Sequence, residues 1–149
     1  MDAETSAPKP MWAIALVGLS AFPISAIIYA YGPPRWSGHA LNVLLAWSAI
    51  MLGFLGGIRW GLESSLEAPR WQRLAGSIIS PIVGFGLLVA RGDLPTAWII
   101  TGLMGAFIVQ WLFDQTAPDV PARYPRLMTV LTLGASVSLA MALEQAMRM

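Results

Sequence analysis

The sequence predicts an all-α integral membrane bundle of five transmembrane helices, N-terminus cytoplasmic. Three observations carry that prediction. Of 149 residues, 56% are hydrophobic and only 11% charged, with a mean hydropathy of +0.64. A soluble domain carries about 25% charged residues to cover its water-facing surface. Second, five stretches free of Asp, Glu, Lys and Arg occur, each of 17 residues or more. About 17–25 apolar residues cross the roughly 30 Å of bilayer hydrocarbon as a helix. Third, the period-two alternation that a barrel strand requires is missing. In lipid every backbone N–H and C=O must be paired, so helices remain.

The charge-free stretches run 10–34, 36–58, 74–90, 94–113 and 127–143. The spans are expected at about 10–31, 38–58, 74–90, 94–113 and 127–146, preceded by a short tail over 1–9. The third and fifth stretches have 17 residues each. Arg73, Arg91 and Arg126 flank them and can snorkel to the interface. The first stretch is an uncleaved span rather than a signal peptide. It is longer than a usual h-region, and Asp2 and Glu4 beside Lys9 make a poor basic n-region. The connections 32–39, 59–73, 91–93 and 114–126 are too short for a separate soluble domain, so 10–149 reads as one transmembrane domain.

Orientation follows from basic residues, because positive loops stay cytoplasmic. One side collects Lys9, Arg59, Arg70, Arg73, Arg123 and Arg126, the other Arg35, Arg91 and Arg148. The N-terminus is therefore expected inside and the C-terminus outside. Trp12, Trp36, Trp60, Trp71 and Tyr31 fall near span ends, where amphipathic rings sit at the headgroup level.

Membrane helices associate where small residues let backbones approach. The second span carries Ala49, Gly53, Gly57 and Gly61 at four-residue spacing. The third repeats the pattern with Gly76, Ser80 and Gly84. The fourth has Gly102 and Ala106, and the fifth Gly134, Ser138 and Ala142. This predicts a central second helix whose glycine face meets another helix, of the same chain or of a second copy. Pro23 and Pro81 each remove a helix hydrogen bond, so kinks are expected there. Ser20 and Ser77 stand close enough before them to serve freed backbone groups.

Net charge is +1, with no basic stripe for nucleic acid. Cysteine is absent and His39 is the single histidine, so no metal site or cofactor is expected. No nucleophile-plus-base motif or phosphate-cradling loop occurs, and no catalytic residue is assigned. The polar candidates are Arg59 and Glu63, four apart at the cytoplasmic end of the second span, and Gln110 and Asp114, four apart at that of the fourth. If the two helices touch, Arg59 and Asp114 can pair at the bilayer edge. The cluster then either pins two helices or forms a proton, ion or headgroup site. On the other side, His39 and Asn42 lie at the interface, and Glu144 pairs with Arg148 one turn on.

The segment Leu52-Gly53-Phe54-Leu55-Gly56-Gly57-Ile58-Arg59-Trp60-Gly61-Leu62 closes the second span. It resembles the hallmark of the transmembrane protein 69 family, the domain of unknown function 3429. Trp71 with Ser80-Pro81, and Phe113-Asp114 followed by Tyr124-Pro125-Arg126-Leu127, look like two further family patterns in the right order. The resemblance implies a small multi-span protein of a bacterial inner membrane, or of mitochondria in eukaryotes, with no activity to carry over. The family pattern has histidine where this chain has Arg59, which favours a fixed-charge structural role.

The function expected is that of a non-enzymatic accessory or scaffold subunit, in contact with the lipid bilayer and with a second copy or another membrane protein. The alternative is a small transporter or channel organised around Arg59, Glu63, Gln110 and Asp114. A lipid-directed enzyme comes third.

Overall fold

A computed structural model describes residues 9–65, 68, 71–115 and 125–148. Arg70, Arg123, Tyr124 and residues 1–8 of the expected tail lie outside the described residues. The elements are α1 (Lys9–Tyr31), α2 (Pro34–Ser64), α3 (Trp71–Ser77), α4 (Ile79–Val89), a short 3-10 turn (Ala90–Gly92), α5 (Thr96–Gln115) and α6 (Pro125–Arg148). With α3, α4 and the turn taken as one broken span, five helical segments are long and apolar enough to cross a membrane.

The first connection is two residues long. Pro33 is extended, as a residue before proline must be, and Pro34 sits in the first turn of α2, where a missing N–H costs nothing. Ser37 Oγ donates to the Tyr29 carbonyl at 3.1 Å and ties the two helix ends together. Helix α2 therefore starts four residues before the expected 38 and runs through Ser64, 31 residues in all. Arg59 and Glu63 lie inside it, because charge alone does not end a helix whose charged side chains are covered.

The two prolines act differently. Pro23 is accommodated within the continuous α1. The third span breaks at Ile78, just before Pro81, which has no N–H for the Ser77 carbonyl. The neighbouring serines do not serve the freed carbonyls: Ser20 Oγ donates to Val17 O at 2.6 Å, and Ser77 Oγ to Leu74 O at 2.6 Å.

Packing closes a ring in which α1 touches α2 and α6, α4 touches α2 and α5, and α5 touches α6. Helix α2 also touches α5 across the centre. Phe22 and Phe107 meet edge to face at 5.8 Å in the core, which Leu44, Leu45, Leu52, Ile99, Ile100, Leu103 and Leu139 complete. Two indoles fasten neighbours. Trp47 Nε1 donates to Gly18 O at 2.9 Å, joining α2 to α1. Trp111 Nε1 donates to Thr129 Oγ1 at 2.9 Å, joining α5 to α6. Outward positions are also apolar: Ile14, Val17, Phe85, Val89 and Trp98 are all exposed. Such a surface suits a hydrocarbon solvent, as the composition predicts.

Among the described residues, the three glycines of the α2 stripe face no other helix. A Cβ placed on Gly53, Gly57 or Gly61 would meet nothing within 4 Å. The close approach uses the next position round the helix. A Cβ on Gly56 would strike the Ser77 carbonyl oxygen and lie 2.7 Å from the Pro81 ring. Four-residue spacing places Gly53, Gly57 and Gly61 on one face, but the apolar side chains beside them decide which face turns inward. Leu52, Leu55 and Met51 do so here. Of the remaining predicted packing positions, Ala49 touches Gly84, Gly76 lies against Phe113, and Ser80 is buried.

Candidate functional site

One end of the bundle carries the start of α1, the end of α2, the start of α3, the end of α5 and the start of α6; it is the proximal end below. There α2 and α5 bring Arg59, Gln110 and Asp114 into direct contact. Arg59 Nε donates to Asp114 Oδ1 at 2.8 Å, and Nη2 donates to the Asp114 carbonyl at 3.3 Å. Gln110, one turn back on α5, donates from Nε2 to both Asp114 carboxylate oxygens at 3.3 Å. Glu63 lies one turn beyond Arg59 on the same face of α2 and is fully buried.

Burial makes the arrangement consequential. The Arg59 and Asp114 side chains are 2% and 7% exposed. Taking an unpaired charge out of water costs several kcal/mol, offset only when pairing and hydrogen bonding are good. Guanidinium supplies five donors in a rigid fork, and here two of its nitrogens reach the side chain and the main chain of one aspartate. A neutral imidazole in that place has one N–H. The guanidinium of Arg59 thus fits a clamp of fixed charge.

Phe113, one residue before Asp114, completes the site and was not a sequence candidate. The Arg59 guanidinium carbon lies 5.9 Å from its ring centroid, and that of Arg73 on α3 lies 5.5 Å from it. Both distances fall within cation–π range. Gly76 makes room: a Cβ there would lie 2.9 Å from the ring. The FD pair was visible in the sequence, but nothing in it placed α3 alongside.

Elsewhere, His39 and Asn42 are exposed near the distal end of α2. Glu144 lies 3.8 Å from Arg148, both more than half exposed. Among the described residues no three of His, Cys, Asp and Glu come together as a metal site.

A family model described as "Protein of unknown function (DUF3429)" matches residues 7–144. The chain belongs to this family. Transmembrane protein 69 of Xenopus tropicalis is similar to this DUF3429 protein, with 29% identity over 142 residues, 93% of this chain and 55% of that protein. The chain thus spans about half the length of the curated relative it matches. No solved structure matches it. Family, helical fold and candidate membrane spans agree on a multi-pass membrane protein.

Proposed function

We propose that this DUF3429 protein is a non-enzymatic accessory or scaffold subunit of a bacterial inner membrane, in which the Arg59–Asp114 cluster is a clamp. The observation that supports this is the mutual satisfaction of the buried polar groups. Arg59 and Gln110 both donate to Asp114, and the two charged side chains are almost wholly covered. Groups that carry ions or protons normally face water or a substrate path.

The clamp has a directional consequence. It fixes the ends of α2 and α5 against each other, so the outward faces of α2, α4 and α6 are presented to lipid or to a partner at a constant angle. The glycines of the α2 stripe have open space beside them, and the proposal gives this stripe to partner packing rather than to intrachain packing.

The test is an exchange of charges. Arg59→Asp and Asp114→Arg are each expected to lower the amount of folded protein in membranes, and the double exchange to restore part of it. Proteoliposomes of the wild type should show no proton or ion flux above protein-free vesicles. A single variant that stays folded but abolishes a measured wild-type flux would establish the transporter reading instead. Purified chain that turns over lipid would establish the enzyme reading. Gentle extraction from native membranes should recover a stoichiometric protein partner, and isolation as a lone chain counts against the accessory role.

A further inference from the structure

Helices α1 and α2 are joined at Trp47 and Gly18, with a groove on the proximal side of that bond. The groove is floored by α6 and has a volume of about 380 Å³. From α1 come Met11, Ile14, Ala15 and Gly18; from α2, Trp47, Ile50, Met51, Phe54 and Ile58; from α6, Leu127, Met128 and Leu131.

We propose that this groove binds one acyl chain of an anionic phospholipid from the leaflet on the proximal side, with the headgroup held by Lys9 and Arg126. The length fits. Trp47 to Ile58 spans about 16 Å of helix at 1.5 Å per residue, against about 15 Å for half the hydrocarbon thickness. The Trp47 end of the groove therefore falls near the midplane, and the Ile58 end near the interface. The lining is apolar throughout, and three of its residues are methionines, whose unbranched side chains adapt to a flexible chain.

The mouth supplies the charge preference. Lys9 opens α1 two residues before Met11, and Arg126 precedes Leu127 on α6; both are exposed. Arg126 also lines a second depression, with Trp12, Thr129 and Val130. Two cations that precede groove residues on α1 and α6 match the charge of a phosphodiester.

The experiment uses the full chain reconstituted in vesicles of equal parts phosphatidylglycerol and phosphatidylcholine, then released for native mass spectrometry. The wild type should retain one phosphatidylglycerol per chain, several-fold over phosphatidylcholine. Ala15→Phe, which fills the groove, should lose retention of both. Lys9→Gln with Arg126→Gln should keep lipid but bring the ratio toward one. Equal retention of the two lipids by the wild type overturns the headgroup assignment. Unchanged retention by a folded Ala15→Phe variant overturns the groove.

A second measurement needs no substitution. Phosphatidylglycerol with a photoreactive group in its acyl chain should label Ile14, Met51 and Met128 several-fold more than Ile82 and Phe85, exposed positions on α4. Even labelling of the two sets overturns the site. So does cysteine cross-linking that places Ile14 or Ile50 of one copy against a second copy of the chain.

Discussion

Arg59 on α2 and Asp114 on α5 stand 55 positions apart in sequence and meet at 2.8 Å with both side chains buried. Removing one partner of such a pair strands the other charge. Arg59→Ala and Asp114→Ala are each expected to destabilise the bundle by about 3–5 kcal/mol. Arg59→Lys should fall between, since an ammonium keeps the charge but loses the two-nitrogen fork. Thermal unfolding in detergent reads the order, and a double-mutant cycle isolates the pair.

Salt should separate this pair from the exposed one. Raising ionic strength from about 0.05 M to about 0.5 M shortens the screening length but reaches buried charges little. The loss caused by Arg59→Ala is expected to hold across that range. Glu144→Gln, at the exposed Arg148 contact, should change stability by less than about 1 kcal/mol at any salt.

Gly56 and Gly57 are adjacent in the sequence and should respond with opposite signs. Gly56→Ala drives a Cβ into the Ser77 carbonyl and the Pro81 ring, an overpacking expected to cost about 1–3 kcal/mol. Gly57→Ala meets open space and should be neutral or stabilise by up to about 1 kcal/mol through helix propensity. Unfolding of the two variants side by side decides it.

Phe113 bears two guanidiniums, and its replacement by leucine keeps much of the apolar volume while removing the ring. A loss of about 1–2 kcal/mol is expected. Arg73→Gln should remove part of the same energy, and less of it when Phe113 is already leucine. Strictly additive effects would place Arg73 outside the interaction.

With five segments long and apolar enough to cross, the two ends of the chain are expected on opposite sides of the membrane. Reporter fusions after Met1 and before Met149 should be accessible from different faces, the first from the cytoplasm by the positive-inside bias. Both reporters on one face would mean an even number of crossings.

The spans and the polar candidates were legible because their signals are local. A run without charge is a property of consecutive residues, and a pair four apart on one helix follows from 3.6 residues per turn. Arg59, Glu63, Gln110 and Asp114 could therefore be placed at matching depth before any helix was docked. The end of α2 was not legible from charge, since Arg59 and Glu63 continue the helix beneath the cover of α3 and α5.

What the sequence determined by itself is the solvent: too few charged side chains exist to cover this chain in water, so five apolar segments must lie in lipid as helices. Tertiary structure alone decided which faces of those helices meet. In lipid the inward and outward sides are both largely apolar, so polarity marks the buried face of a span only at a few positions such as Ser48, Ser80, Gln110 and Asp114. Elsewhere the fit of particular shapes decides it, as Gly56 against Ser77 and Phe113 against Gly76 show, and shape at a contact belongs to two segments at once.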